Sequence, residues 1–405
     1  MDRPNKNRIG ICMVVGAYYP EITGSALQCF NLVESLKDDF DFYVIATYKI
    51  SSKIRHTKQI FTEEILDKTK VFRINLYPGK IISEILSLLA FFIIFFKIKN
   101  KVHIFHMIGY TRKSYLITLL AKIFRKKTIV KTTSFGIDDP LSIKKRSFFH
   151  STLYSLVDTY IVTSPAQQES FRMARLPEDK ILMIPNGVNL NRFNTPSVQE
   201  KSALRQQMGI PDSTDVILSV SFFSQDKGLD IFAESLLLLP QDLLRNIFLI
   251  FVGSKDEQEL EVDAEVVEKV HNIIDRLGIN SRCLFRDSTH DICKYFNVSD
   301  IFILPSKREG LPNALLEAMA SGLCCIANRL GGITDYIIDS EKNGYLLNTL
   351  APNAIANILT RTIGNKAVQN NMGNEAHSKI RRAFNMDQTK ARYVKLYADL
   401  LGRMD

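Results

Sequence analysis

Short apolar runs alternate along the chain with longer segments in which apolar positions recur at helical spacing. In the first half the pattern predicts a helix around 31–37 and strands at 9–16, 42–47, 102–106, 128–132 and 159–163. In the second half it predicts helices at 229–239, 262–277, 291–297 and 312–321, and strands at 215–223, 246–253, 282–285, 300–304 and 323–327. This alternation is typical of parallel sheets with crossover helices, so we expect an α/β chain of two doubly wound units.

The length supports the same division. The chain has 405 residues, whereas single hydrophobic cores stop growing near ~250–300 residues. Proline and asparagine gather between 185 and 196, and this segment is the candidate linker. We therefore predict an N-terminal domain at 1–190, a C-terminal domain at 191–380 and a C-terminal helix at 381–405 that packs back on the N-terminal domain.

The net charge of +9 is unevenly distributed. Residues 1–200 have an excess of 12 positive charges, and no acidic residue lies between Glu84 and Asp138. A field of one sign attracts phosphates, nucleic acid or an acidic lipid surface, although many such runs are merely solvated faces. Within this gap, residues 85–96 read ILSLLAFFIIFF. A helix of twelve residues spans roughly 18 Å, which is too short to cross a membrane, so it is either a buried core helix, which we favour, or an interfacial segment.

Several familiar sites are missing from the sequence. It contains no GxGxxG after the first strand, no GxxxxGK[ST], no GxSxG and no HExxH. The six cysteines form no CxxC pair or metal-spaced cluster, which fits a reducing cytoplasm. The stretch Asp39–Asp41 matches a DxD pattern, and we interpret it as a turn between helix and strand. No metal site is predicted.

The most informative segment is REGLPNALLEAMASG at 308–322, because it joins a predicted strand to a predicted helix. The free N–H groups of such a helix start favour phosphate oxygens. Glu309 in the loop and Glu317 in the helix suit paired hydroxyls, which donate hydrogen bonds to carboxylates. A sugar nucleotide combines both features, whereas the bare E-x7-E spacing is also compatible with two surface glutamates.

Two further residues follow strands. Lys227, in SQDKGLD, can reach a phosphate above the strand ends, and Gly24, in PEITGSA, can let the backbone approach a phosphate closely. A solvated turn lysine and a simple tight turn are the alternative interpretations.

Together these segments resemble the family 4 retaining glycosyltransferases, which have the GT-B fold of two Rossmann-like domains facing a central cleft. The resemblance runs through YYPEITGSALQCFNLVESL, KILMIPNGVNLNRF, SVSFFSQDKGLDIFAESL and REGLPNALLEAMASGLCCIANRLGGITDYI. It implies donor contacts for Glu309, Gly310, Leu311 and Asn313, and ribose contacts for Glu317. It also implies that Lys227 neutralises the departing diphosphate, that Gly24 approaches it, and that Lys227 and Glu309 serve catalysis.

The chain departs from the family pattern in three places. No arginine occurs in 220–224, Phe135 replaces a histidine in TTSFGIDD, and Asp335 stands where a glutamate is usual. Gly136 and Asp138 still match that N-terminal string, so they are predicted on the acceptor side. His106, at a predicted strand end, is predicted there too, with a packed histidine as the alternative.

The resemblance implies transfer of a hexose from a nucleotide diphosphate sugar, with retention and without a required metal, to a glycan or lipid-linked acceptor. We expect a cytoplasmic protein, peripheral on the inner membrane face, that binds an anionic membrane surface and no nucleic acid. Polysaccharide or lipopolysaccharide biosynthesis is the expected context. An epimerase, a hydrolase and a non-catalytic membrane-recruiting protein remain alternatives.

Overall fold

The computed structural model describes residues 8–21, 23–47, 59–77, 79–133, 136, 138–146, 148–255 and 262–402. It divides into two compact units, the first formed by 1–186 with 387–405 and the second by 187–386. The predicted domain boundaries at 190 and 380 lie four and six residues from these divisions.

The first unit is an eight-stranded sheet with helices on its faces. Its strands are β1 Gly10–Val15, β2 Asp41–Thr47, β3 Phe61–Leu66, β4 Thr69–Ile74, β5 Ile104–Ile108, β6 Lys127–Lys131, β7 Thr159–Val162 and β8 Ile181–Met183. Its helices are α1 Gly24–Leu36, α2 Lys80–Ile98, α3 Arg112–Ile123, α4 Pro140–Arg146, α5 Phe148–Ser155 and α6 Pro165–Met173. The strand order is β3-β4-β2-β1-β5-β6-β7-β8, and β3 is antiparallel to β4 while the other pairs are parallel.

The second unit has a six-stranded parallel sheet of order β11-β10-β9-β12-β13-β14. Its strands are β9 Asp215–Val220, β10 Ile247–Val252, β11 Cys283–Arg286, β12 Ile301–Leu304, β13 Cys324–Asn328 and β14 Tyr345–Leu347. Its helices are α7 Val198–Met208, α8 Leu229–Leu236, α9 Gln241–Arg245, α10 Ala264–Leu277, α11 Cys293–Val298, α12 Asn313–Ala320, α13 Thr334–Ile337, α14 Pro352–Thr362 and α15 Lys366–Ala383. The last helix, α16 Met386–Leu400, is assigned from Asp387 onward to the first unit.

The sequence pattern missed the β3–β4 hairpin, β8 and β14. The edge strand β3 alternates between partly buried and exposed positions and contains Glu63 and Glu64, so its apolar signal is weak. The strands β8 and β14 have three residues each, too few for a periodic pattern to be recognised.

The predicted helix at 85–96 is longer than expected, and the prediction that it is too short to cross a membrane is wrong. Helix α2 has 19 residues, which corresponds to about 28 Å. By length and composition alone its segment Ile81–Ile98 could span a membrane, and one third of that segment is buried. Residues 80–84 and 97–98, on either side of the apolar run, are also helical, and they account for the additional length.

Asp300 organises the amino end of the second sheet. Its buried carboxylate pairs with Lys201 at 2.8 Å, Arg205 at 2.5 Å and Lys366 at 3.0 Å. It also accepts a hydrogen bond from the Val216 backbone N–H at 2.8 Å. Burial acts to raise the pKa of Asp300, but the charges of these three cations lower it to about 2.

We expect Asp300→Asn to destabilise the second unit by about 3 kcal/mol at pH 7, because it leaves the buried Arg205 guanidinium without its carboxylate partner. The pKa of Asp300 is depressed by folding, so the stabilisation is present above pH ~4 and is lost as pH falls toward 2. Denaturant unfolding between pH 3 and 7 should therefore show a difference between wild type and variant that shrinks with acid. The control is Asp339→Asn, which breaks an exposed ion pair with Lys379 and should change stability by less than about 1 kcal/mol. A similar loss of stability in both variants would contradict the role of Asp300 as a stabilising partner of Arg205.

Candidate functional site

The candidate site of the second unit is built on two neighbouring strands. β9 and β12 are paired in parallel, with Ile301 opposite Ile217 and Phe302 opposite Leu218. Their carboxyl ends therefore lie side by side, and the loops that follow them, 221–228 and 305–312, meet at one edge of the sheet.

The two loops are held together closely. The Lys307 backbone N–H donates to the Asp226 carbonyl at 2.7 Å, and Arg308 forms an exposed ion pair with the Asp226 carboxylate at 2.6 Å. Gly228 has a φ of +66°, and a Cβ there would lie 2.3 Å from the Pro305 carbonyl oxygen. Only glycine allows this approach, so Gly228 fixes the position of Lys227 relative to the second loop.

Lys227 and Glu309 form the centre of this arrangement. The Lys227 Nζ donates to the Glu309 Oε1 at 2.7 Å, and the side chains are 26% and 12% exposed. The two residues are 82 positions apart in the sequence. A partly buried ion pair that retains access to solvent can exchange its internal partner for a charged or hydroxyl-bearing ligand.

Helix α12 begins directly after the second loop. Pro312 precedes it as its N-cap with a φ of −72°, so the helix begins at Asn313, one residue later than predicted. Gly310 and Leu311 are buried in the approach to the helix, while Asn313 and Glu317 are partly buried. Since they are four residues apart, Asn313 and Glu317 lie on one face of α12, one turn apart.

Glu317 has the most perturbed carboxyl group of this site. Burial raises its pKa to about 7, against the opposing effect of the nearby Arg192 guanidinium. Arg192 is held by a hydrogen bond from Nη2 to the His290 carbonyl at 2.5 Å. A carboxylate kept partly buried beside one cation is costly to the fold, and such perturbed groups cluster at functional sites.

Some polar groups at this edge were not predicted. The buried hydroxyls of Ser221 and Ser306, after β9 and β12, have no hydrogen-bond partner within the described part of the chain. Arg192 was predicted only as part of the linker. No sequence motif marks these residues, because their significance depends on strand pairing and on burial.

The remaining predicted site residues, Gly24, His106, Gly136 and Asp138, belong to the first unit. Gly24 is the first residue of α1, where the Thr23 hydroxyl accepts a hydrogen bond from the Ala26 N–H at 3.1 Å. A Cβ on Gly24 would meet no atom within 4 Å, and its φ lies outside the left-handed region. Within the described residues, a side chain at position 24 would therefore meet no steric clash and no left-handed backbone, so the fold does not require glycine there.

Gly136 and Asp138 both take part in local hydrogen bonds. Gly136 has a φ of +83° and donates its N–H to Asp139 at 2.8 Å. The buried Asp138 carboxylate accepts from the Thr133 N–H at 2.8 Å and from its hydroxyl at 2.9 Å. The Asp138 carboxylate is therefore bonded to Thr133, while Phe135 lies outside the described residues. Asp335 in the second unit similarly accepts from the Gly332 N–H at 2.6 Å.

The prediction that His106 ends its strand is wrong. β5 begins and ends two residues later than expected, so His106 lies in its middle and is fully buried. Its Nδ1 is 2.8 Å from the Tyr397 hydroxyl of α16, and burial together with Lys131 lowers its pKa to about 3. His106 is thus a neutral packed histidine, which was the alternative interpretation.

Structural comparison extends over nearly the whole chain. It is similar to sucrose-phosphate synthase from Thermosynechococcus elongatus, with a TM-score of 0.77, 19% identity and coverage of 98% of this chain and 100% of that one. It is also similar to Anabaena HepE solved with UDP and glucose, with a TM-score of 0.75, 20% identity and coverage of 96% and 99%.

The fold is GT-B. The two units described above are its two Rossmann-like domains, so the predicted fold class is confirmed. At these levels of identity the structural likeness establishes the fold alone.

The match to a protein family lies within the second unit of this GT-B protein. Residues 200–379 match the family described as glycosyl transferases group 1. Over 224 residues the chain is 28% identical to the Escherichia coli UDP-Gal:α-D-GlcNAc-diphosphoundecaprenol α-1,3-galactosyltransferase, covering 55% of each protein. Over 210 residues it is 25% identical to the Salmonella typhimurium lipopolysaccharide 1,2-N-acetylglucosaminetransferase, covering 52% of this chain and 54% of that one. These alignments thus span about half the length of each relative.

Proposed function

We propose that this protein is a retaining glycosyltransferase that moves a hexose from a nucleotide diphosphate sugar to a lipid-linked or glycan acceptor. The observation that carries the proposal is the Lys227–Glu309 ion pair at the edge of the second sheet, beside a helix whose face presents Asn313 and Glu317. All four residues lie within the segment that matches glycosyl transferases group 1.

The ion pair suggests how the donor would be received. In the free protein Lys227 and Glu309 satisfy each other at 2.7 Å. A bound donor would offer the diphosphate to Lys227 and sugar hydroxyls to Glu309, so both groups would exchange one charge-assisted hydrogen bond for another. Gly310, Leu311 and Asn313 would contact the donor beside the start of α12, and Glu317 would accept from the ribose hydroxyls.

Leaving-group stabilisation would be the main catalytic task. When the bond from the anomeric carbon to the diphosphate oxygen breaks, negative charge grows on the diphosphate, and a preorganised cation lowers the barrier. Lys227 would supply that charge, and we propose that no metal is required. The implied role of Gly24 at the diphosphate remains a prediction for the first unit.

The acceptor is inferred from the relatives. One acts, by its name, on a sugar-diphosphoundecaprenol and another on lipopolysaccharide. We therefore propose a lipid-linked precursor at the cytoplasmic face of a membrane, and the basic first unit, with its excess of 12 positive charges in residues 1–200, suits such an anionic substrate.

Release of nucleoside diphosphate tests the proposal. Donors first identified by thermal shift across nucleotide sugars would be incubated with and without undecaprenyl-diphosphate-linked sugars, in the presence of EDTA. We expect acceptor-dependent release that EDTA leaves unchanged, and a product whose anomeric configuration, read by NMR, matches the donor. Release that does not depend on the acceptor would indicate a hydrolase. Conversion of the donor sugar to another sugar would indicate an epimerase. A lack of release from every donor would contradict transferase activity.

A further inference from the structure

Helix α2 exposes a continuous apolar surface. Eight of its large apolar side chains are at least 38% exposed, and we call them the α2 stripe: Ile81, Ile82, Ile85, Leu88, Leu89, Phe92, Ile93 and Phe96. Their spacing of three and four residues places them along one side of the helix. In water-soluble proteins, contiguous apolar surface of this kind marks an interaction site.

The opposite side of α2 is part of the core of the first unit. Ala90, Phe91, Ile94, Phe95 and Ile98 are at most 2% exposed. Phe95 stacks on Phe105 of β5 with ring centroids 5.1 Å apart. Because this side of α2 is packed along the sheet, the helix axis would lie parallel to any surface that the stripe contacts.

Helix α3 extends the apolar surface. The rings of Phe96 and Phe124 pack edge to face at 5.3 Å, which joins the end of α2 to the end of α3. On α3, Leu119 is 43% and Ile123 is 62% exposed.

Four of the cations near this junction have no acidic partner among the described residues. Lys99 lies over the Phe96 and Phe124 rings at 4.6 and 4.2 Å. Burial and the nearby charge of Lys99 both lower the pKa of Lys126. Within the described ranges, Lys99, Lys126 and the exposed Lys101 and Arg125 form no ion pair, whereas Lys97 is neutralised by Glu63 and Lys122 by Asp158.

We propose that the α2 stripe, with Leu119 and Ile123, docks the first unit on an anionic lipid bilayer. The apolar side chains would enter the boundary between headgroups and acyl chains, and Lys99, Lys101, Arg125 and Lys126 would contact lipid phosphates. A second copy of the chain fits this surface less well, since a two-fold contact would bring the same cations together. The surface belongs to the first unit, and the inference holds whether or not the protein transfers a sugar.

The absence of tryptophan provides a direct test with the full chain. Phe92→Trp would place the chain's single tryptophan on the stripe, where it can be excited selectively over the tyrosines. On addition of vesicles containing phosphatidylglycerol, its emission should shift to the blue and should be quenched by lipids brominated in the acyl chains. Val198→Trp, at an 81% exposed site on α7 of the second unit, is the matched reporter and should do neither; an unshifted Phe92→Trp would overturn the proposal.

Vesicle flotation separates the apolar and electrostatic contributions. Ile85→Ser/Leu89→Ser/Phe92→Ser should reduce binding at least tenfold, whereas Met173→Ser/Val198→Ser/Leu238→Ser removes three exposed apolar side chains elsewhere and should not. Lys101→Ser/Arg125→Ser should weaken binding to anionic vesicles about 25-fold, at roughly fivefold per cation. The variant Lys342→Ser/Arg382→Ser has the same net charge and should leave binding unchanged.

Two results would overturn the inference. One is equal vesicle binding by the wild type and the triple stripe variant when both have the same melting temperature. The other is a lack of binding at low salt together with a dimer in sedimentation that the stripe variant abolishes, which would assign the surface to a protein contact.

Discussion

Lys227→Ala should lower kcat by about 10²- to 10³-fold, the range found when one preorganised donor to developing negative charge is removed. In the proposed reaction the charge of Lys227 matters most when the diphosphate leaves, so the Michaelis constant for the donor should change much less than kcat. Steady-state kinetics with the donor found in the thermal-shift screen measures both quantities.

Lys269 provides the matched control. It is a lysine of the same unit and pairs with Glu234 at 2.7 Å, but it lies on α10. Lys269→Ala also breaks an ion pair of the second unit and should leave kcat within about twofold of wild type. If Lys227→Ala retains more than one fifth of the wild-type kcat, or if Lys269→Ala is equally impaired, Lys227 has no role in leaving-group departure.

Glu317→Gln should have opposite effects on binding and on stability. Loss of a carboxylate that accepts from two ribose hydroxyls should weaken nucleotide binding by about 10²-fold. Burial raises the pKa of Glu317 to about 7 from an ordinary value of 4.5, so above neutral pH the folded protein contains a carboxylate that would be more stable in water. The variant should therefore be about 1–3 kcal/mol more stable than wild type at pH 8.

The pH dependence follows from the same pKa. The destabilisation caused by Glu317 is absent below pH ~4.5, grows between pH ~4.5 and 7 and is complete above 7. Wild-type nucleotide affinity should rise as pH increases through 7, whereas that of Glu317→Gln should be nearly constant. Calorimetric titration with the nucleoside diphosphate, combined with denaturant unfolding from pH 5 to 8, measures both effects.

The exposed Glu265 of α10 offers a control for this substitution. Glu265→Gln should alter neither nucleotide affinity nor its pH profile. If Glu317→Gln binds the nucleotide as tightly as wild type, Glu317 is not part of the binding site. If the variant is less stable than wild type at pH 8, the ionised carboxylate of Glu317 does not destabilise the fold.

The candidate site was largely predictable because its residues follow strands in recognisable local patterns. The strand before Glu309 and the helix containing Glu317 are adjacent in sequence, and Lys227 directly follows β9. Parallel strands collect their carboxyl-end loops at one edge, so the approximate neighbourhood of these residues follows from the order of elements.

Other features could not be predicted, because they depend on which surfaces meet. His106 was misassigned since the burial of a strand position depends on the helix that covers it, here α16, nearly 300 residues later. Arg192 acquires importance only through its position beside Glu317, and the hydroxyls of Ser221 and Ser306 only through the burial of their surroundings.

The sequence by itself determined the α/β order of the chain, its division into two units and the segments that carry the candidate chemistry. These properties follow from the local periodicity of apolar residues, from the residues that flank each strand and from the distribution of charge along the chain. The tertiary structure alone decided that Lys227 reaches Glu309 across 82 residues, that Glu317 is buried enough to titrate near neutrality, and that α2 is buried on one side and exposed on the other. The physical reason is that separation in space, desolvation and the choice of buried helix face arise only when distant segments pack together.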